Sequence, residues 1–156
     1  MESEFNSRVT LINELDNTVR SFLAFCKQDS DFDNIFIGDW TAKQVIMHVT
    51  FWHESFARNV RDLAMEIKPI VLRGTYAVLN ARAFEEMAQL GIPDICDRLR
   101  GAQETIQRYI LNPKLGMIPY KARSRDYSPE EHLVIVHLHI QDHLKDLKLA
   151  GNNRES

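Results

Sequence analysis

The sequence predicts an all-α domain built as a four-helix bundle. Its longer segments carry apolar residues at intervals of three and four, which is the spacing of one buried helix face. Two of these segments begin with a capping box, a pattern typical of helix starts. No repeat, low-complexity tract or composition shift divides the 156 residues, so we expect one domain over residues 1–156.

Composition restricts the class of protein. The chain is 44% hydrophobic and 26% charged, which is typical of soluble globular proteins. A net charge of -3 without any basic run argues against nucleic-acid binding. The N-terminus lacks the apolar stretch of a signal peptide, and no window approaches the roughly 18 apolar residues of a membrane span. Cys26 and Cys96 form no CxxC pair and indicate no disulfide framework, so we expect a reducing cytoplasm.

The first helix is predicted over Ser3–Lys27. Its apolar residues recur with helical spacing and end at the first cysteine. The predicted buried face consists of Val9, Ile12, Leu15, Val19, Phe22, Leu23 and Cys26. The following segment, Gln28–Asp39, loses this period and gathers Asp, Asn and Gly, so it is predicted to be a loop.

The second helix is predicted to begin after Thr41. The Thr41 hydroxyl and the Gln44 side chain stand at the two positions of a capping box. An apolar stripe follows, and His48 lies on it about two turns in, so the imidazole is expected to face the core. The helix should end near Lys68, because Pro69 disfavours helical geometry in the residue before it.

The third helical region is predicted to be broken. Tyr76–Leu90 has apolar residues at helical spacing, and Gly91 then interrupts the pattern. A longer helix is predicted over Asp94–Leu111, with Pro93 near its first helical position. The segment Asn112–Tyr127 is predicted to be a loop.

The last helix also has a clear start. Ser128 can cap it, Pro129 suits the first turn, and Glu131 completes the capping box. We expect it to run to about Leu149, with Gly151 as a plausible stop. Five of its positions are predicted to share the core side: Ile135, Val136, His139, His143 and Leu147.

Three of the six histidines are candidate metal ligands. His139 and His143 stand four residues apart and therefore share one helix face. His48 from a facing helix would complete a tripod that leaves coordination positions open for water or substrate. Chance alone gives about 0.2 such i,i+4 pairs for six histidines, so the spacing by itself is weak evidence. The alternative is that these imidazoles bond to other side chains or to water.

The other histidines fit a metal site less well. His53 lies about 140° around the helix from His48 and is predicted to be on the surface. His137 is turned away from His139. His132 stands seven residues before His139 on nearly the same face, so it is the main substitute ligand.

No motif identifies a catalytic residue. HExxH, a Gly-rich phosphate loop and GxSxG do not occur. Cys96 is a possible nucleophile, but its apolar helical period predicts a place in the core. Asp142 and Asp146 are predicted to be solvated, with orientation of a ligand imidazole as the alternative. Four aromatic residues are interpreted as packing, with a pocket mouth as the alternative: Trp52, Tyr76, Tyr120 and Tyr127.

Two short motifs give the chain a family resemblance. The segment Asp39–Trp52, with Trp40, Thr41 and a core His48 seven residues later, resembles the second-helix signature of the DinB-like superfamily of small bacterial proteins. The ending His139–His143, with an acidic residue before the second histidine, is similar to the HxxxH motif of that family. The resemblance extends from about residue 5 to residue 149.

The resemblance implies a fold, a metal and a cosubstrate. The fold is an up-down-down-up bundle with a long crossover between helices 2 and 3. The metal is a divalent ion, zinc or nickel, held by His48, His139 and His143. Members of the family include transferases and isomerases that use low-molecular-weight thiols such as bacillithiol and mycothiol. Related bundles often form homodimers. We expect Pro69–Asn80 and the loop near Tyr120 to frame the site and to set substrate preference.

The predicted function is that of a metal-dependent thiol transferase or hydrolase acting on a small molecule. An ion held by three neutral imidazoles keeps its full charge and lowers the pKa of a bound thiol or water. The alternative is a non-catalytic module that sequesters a small ligand in the bundle cavity. A third possibility is a structural metal, or none, in a dimerising bundle. Neither nucleic acid nor a membrane is an expected partner.

Overall fold

The computed structural model describes residues 2–155, and it describes the side chains of residues 7–152. Over this range the chain is mostly helical, as predicted, with one small hairpin that the sequence did not predict. In order, the elements are α1 (Glu2–Cys26), β1 (Phe36–Ile37), β2 (Trp40–Thr41), α2 (Ala42–Ala64), α3 (Tyr76–Met87), α4 (Ile92–Tyr109) and α5 (Pro129–Glu155). Across residues 2–155 none of the helices has the length and apolarity needed to cross a membrane.

Helices α1 and α5 pack side by side and run in the same direction. Arg8, near the start of α1, pairs with Glu130 in the first turn of α5 at 2.9 Å. Closer to the middle of both helices, the Thr18 hydroxyl lies 3.1 Å from His137 Nδ1. Contacts that advance together along two helices define a parallel pair.

Helices α2 and α4 form a second parallel pair. Arg98 in the first half of α4 donates to Glu54 in the middle of α2, with an N–O distance of 2.6 Å. Asn112, just beyond the end of α4, donates to the carbonyl of Ala64 at the end of α2, with an N–O distance of 3.5 Å. The two pairs run in opposite directions, because Arg8 also donates to the carbonyl of Ile110 at the end of α4.

The helix starts that the sequence predicted are confirmed. Gln44 N donates to Thr41 Oγ1 at 3.1 Å, and Thr41 N donates to Gln44 Oε1 at 2.9 Å. The same reciprocal bonds join Ser128 and Glu131, both at 3.1 Å. These capping boxes satisfy backbone donors that have no partner inside the helix. Thr75 caps α3 with a single bond, which its hydroxyl accepts from Val78 N, and this cap was not predicted.

Three predicted helix ends are wrong. Helix α3 ends at Met87 and not at Leu90. Helix α2 ends at Ala64 and not near Lys68, because Glu66 adopts a φ of 60°, a left-handed conformation that interrupts a helix. Helix α5 continues through Gly151 to Glu155, whereas a stop near Leu149 was expected. A single glycine costs a helix only about 1 kcal/mol relative to alanine, so the helix can pass through it.

The core fills the space between the helices. The largest fully buried side chains are Phe22, Leu15, Ile46, Leu79, Met87, Ile95, Leu99, Ile106, Ile110, Ile118, Leu133 and Ile140. Cys26 and Cys96 are free thiols that meet between α1 and α4, so the predicted core position of Cys96 is confirmed. Ile135 was expected in the core but is 38% exposed, because it lies at the edge of the buried face of α5.

Candidate metal centre

The three predicted histidines converge on one point. His48 Nε2 lies 2.9 Å from His139 Nε2, and His143 Nε2 lies 3.0 Å from the same atom. Two nitrogens bound to one zinc ion, each about 2.0–2.1 Å from it, can be at most about 4.2 Å apart. The spacing therefore fits a common ion, and we call these three residues the histidine triad. Within residues 7–152 no other group of three metal-ligating side chains is so close.

The local structure explains this convergence. His139 and His143 lie one turn apart on α5, so their rings meet edge to face on one side of the helix with centroids 4.6 Å apart. His48 lies two turns into α2, whose start is fixed by the capping box at Thr41. Its ring centroid is 4.9 Å from each of the other two. His48 is buried, whereas His139 and His143 are half-buried and so are partly accessible to solvent.

Asn80 fixes the tautomer of His48. Trp52 Nε1 donates to Asn80 Oδ1 at 2.9 Å, and an indole N–H is a donor only. The atom it meets must therefore be the amide oxygen of Asn80. His48 Nδ1 lies 2.9 Å from the same oxygen, so it must carry a proton and donate. The neutral ring then presents the lone pair of Nε2 to the triad, as metal coordination requires.

Burial keeps the triad uncharged. It lowers the pKa of His48 to about 4, although the bond to Asn80 acts in the opposite direction. Burial and then the neighbouring His143 and His48 lower the pKa of His139 to about 3. Burial also lowers the pKa of His143. All three imidazoles are therefore neutral near pH 7, which is the form that binds a metal ion.

The prediction for His53 is wrong. This residue is only 1% exposed, and its Nε2 lies 2.8 Å from Gln103 Oε1 on α4. The side of α2 that carries His53 is turned away from His48, but α4 covers it. The prediction for His137 is confirmed, because its ring turns away from His139 and meets Thr18 on α1.

His132, the substitute ligand, does not join the triad. It is 1% exposed and stacks on Phe56 with a centroid distance of 4.1 Å. Asp142 and Asp146 are exposed, as predicted. Both carboxylates raise the pKa of His143 and so oppose the effect of burial. The side chain that orients a triad imidazole is Asn80, which the sequence analysis placed at the site only as the end of a framing segment.

A partly enclosed chamber of about 90 Å³ adjoins the triad, and we call it the inner chamber. His139 belongs to both, so the triad and the chamber share a wall. The chamber is lined by Val49, Trp52, His53, Tyr120, His132, Ile135, Val136, His139 and Ile140.

The four aromatic residues singled out in the sequence lie together beside this chamber. Trp52 stacks on Tyr120 with a centroid distance of 5.3 Å, and Tyr76 lies 5.7 Å from Trp52. Tyr127 lies 6.3 Å from Tyr120. Tyr76 is 52% exposed and forms the outer edge of the group. The inner rings fit the interpretation of these aromatic residues as core packing. Tyr76 fits the alternative interpretation as the mouth of a pocket.

The two segments expected to frame the site do meet there. Leu72, in the crossover between α2 and α3, bridges to Lys121 in the loop that follows α4. Asn59 of α2 donates to the carbonyl of Pro119 at 3.0 Å and so holds the neighbouring Tyr120 in place.

The arrangement offers three neutral nitrogen donors from two helices and a half-open approach. Comparison of the chain with protein-family models, with curated proteins and with solved structures found no match.

Proposed function

We propose that the protein binds one divalent ion, zinc or nickel, through Nε2 of His48, His139 and His143. The observation that supports this proposal is the convergence of the three nitrogens, together with the proton that Asn80 holds on the far side of His48. Two facing Nε2 lone pairs at 2.9–3.0 Å repel each other, and a shared ion between them turns that repulsion into attraction.

We further propose that the metal centre serves an enzyme of the thiol-transferase or hydrolase type. An ion with three neutral ligands is a Lewis acid that lowers the pKa of a thiol or water. The protein side chains then have defined tasks. Asn80 orients His48, burial keeps the ligands unprotonated, and the aromatic group at Trp52 and Tyr120 excludes water from the inner side of the site.

The fold proposal follows the family resemblance. We propose an up-down-down-up four-helix bundle formed by α1, α2, α4 and α5, with α3 in the crossover, and membership of the DinB-like superfamily. The parallel pairs α1–α5 and α2–α4 support this topology. Membership is supported because His48 of the first motif and His139 and His143 of the second lie around one site.

Substrate preference is proposed to reside in residues 69–80 and in the loop at Tyr120. Asn80 contacts the triad, and Leu72 connects the crossover to that loop, which supports this location. The proposed partners are a small-molecule substrate and a low-molecular-weight thiol, with neither nucleic acid nor a membrane among them. A homodimer and a cytoplasmic location stay predictions; the free thiols of Cys26 and Cys96 are consistent with the latter.

Metal reconstitution tests the proposal. Purified protein is loaded with zinc or nickel, dialysed and analysed for metal content. We expect about one ion per chain for the wild type and for His137→Ala, and less than about 0.1 for His139→Ala. A wild-type value below about 0.1 would refute the metal site.

A binding module without turnover is the second candidate. The inner chamber favours it, because no carboxylate, lysine or arginine lines this space in the described part of the chain. His53 and His132 do line it, but burial lowers the pKa of each to about 4, so both are weak bases. Conjugation of a model electrophile with several thiols separates the two functions. Faster reaction with the wild type than with His139→Ala supports the enzyme, and equal rates support the binding module.

A further inference from the structure

Several buried polar atoms outside the triad have no hydrogen-bond partner. Thr50 Oγ1, His53 Nδ1, Gln103 Nε2 and both ring nitrogens of His132 are buried without a hydrogen-bond partner among the described residues. Native cores rarely retain such atoms, because each one costs folding free energy. Two of the residues that carry them, His53 and His132, line the same space as His139 of the candidate metal centre, which indicates a binding function.

The inner chamber is the space that these imidazoles face. His132 and His53 line it, and His139 of the triad lines it as well. Phe56 stacks on His132 and holds the ring against this space. Burial lowers the pKa of both His53 and His132 to about 4, so neither ring carries a charge near pH 7.

Each of these rings can both give and accept a hydrogen bond. A neutral imidazole has one N–H donor and one lone-pair acceptor. His53 Nε2 donates to Gln103 Oε1, which leaves Nδ1 of His53 as an acceptor. His132 has both its donor and its acceptor available. The remaining walls are aliphatic and aromatic.

We infer that the inner chamber binds the free end of a ligand held at the triad, and that it selects a compact, uncharged hydroxyl or amide group. His132 is then a specificity-determining residue. This inference rests on the proposed metal site. A volume of about 90 Å³ accommodates such a group, since one water molecule needs only about 10–15 Å³ of cavity space. A charged group would find no oppositely charged side chain among the residues that line the chamber, which is unfavourable.

The experiment uses the full chain loaded with cobalt(II), whose visible spectrum changes when a thiol binds. The probes are ethanethiol and 2-mercaptoethanol, which differ by one hydroxyl group. We expect the wild type to bind 2-mercaptoethanol at least about tenfold more tightly. In His132→Phe the preference should fall below about twofold, because the hydrogen-bonding groups of the ring are lost.

A matched variant and two charged probes complete the design. The matched variant is His137→Phe. His137 lies on the same helix as His132, but its ring faces α1, so this variant should retain the wild-type preference for 2-mercaptoethanol. Within the wild type alone, thiocholine and 2-mercaptoethanesulfonate, whose charged ends are poor metal ligands, should bind at least about tenfold more weakly than 2-mercaptoethanol. This comparison holds even if His132→Phe does not fold.

The outcomes separate the two proposals. If the wild type binds no cobalt, the metal site fails and the inference falls with it. If cobalt binds but the probes bind equally, the inference alone is overturned. An unchanged preference in folded His132→Phe also overturns it.

Discussion

The amide oxygen of Asn80 accepts two hydrogen bonds at 2.9 Å, one from Trp52 Nε1 and one from His48 Nδ1. Because the indole can only donate, this contact determines both the orientation of the amide and the tautomer of the histidine. Asn80 of α3 thereby directs the Nε2 lone pair of His48 on α2 toward His139 and His143 on α5. The candidate site thus depends on three helices, although its nitrogens come from two.

Asn80→Leu should weaken metal binding. Loss of the acceptor frees the His48 ring to rotate and to change tautomer, so we expect a 10- to 100-fold loss of affinity, roughly the effect of removing such supporting contacts. Competition with a chromophoric chelator measures it. Asn80→Asp keeps an acceptor oxygen and should retain most of the affinity. Equal losses in both variants would contradict the proposed role.

Metal should stabilise the fold through the triad. An ion at about 100 times its Kd adds roughly 2.7 kcal/mol to the free energy of unfolding, which corresponds to about 5–10 °C in melting temperature. Differential scanning fluorimetry with and without EDTA measures this shift. His139→Ala should melt at the same temperature in both conditions. A wild-type melting temperature that is insensitive to chelation would mean that no ion binds.

His132→Phe should stabilise the protein. The substitution keeps the stacking on Phe56 and removes two unpaired buried nitrogens, so we expect about 1–3 kcal/mol more free energy of unfolding at pH 7. Urea denaturation provides the measurement. His137→Phe, which loses the bond to Thr18, should not gain stability. A large loss in His132→Phe would show that its nitrogens are satisfied in solution.

Stability should fall as the pH drops below about 6.5. Burial lowers the pKa of His53 and His132 to about 4 in the folded chain, whereas the unfolded chain keeps the ordinary value. Between these values the unfolded state binds more protons, so acidification favours it. Each residue contributes a loss of roughly 3 kcal/mol between about pH 6.5 and pH 4.

Urea curves at several pH values test the sign and the size of this effect. Comparison of wild type with His132→Phe isolates the contribution of His132 from that of the carboxylates. The variant should lose less stability on acidification. Parallel pH profiles for the two proteins would argue against a depressed pKa for His132.

Helix starts and the core-facing side of each helix were predictable because they are local properties. A capping box at Thr41 or Ser128 involves residues within one turn, so the sequence alone specifies it. The placement of His48 on an apolar stripe, and of His139 and His143 on one face, follows from the same helical period. The ends of α2 and α5 were less predictable, because Pro69 sets only an outer limit to α2, which already ends before the left-handed Glu66, and because a glycine such as Gly151 disfavours a helix only weakly.

The sequence by itself therefore determined the helical class, the best-capped starts and the three candidate ligands. Only the tertiary structure decided that α4 covers His53, that Asn80 of α3 reaches His48, and that His132 faces a chamber beside His139. The physical reason is the separation along the chain of the residues that make the deciding contacts. Helical periodicity reports one buried face, whereas packing of a second helix, or a hydrogen bond between residues 32 positions apart, depends on contacts that no local spacing encodes.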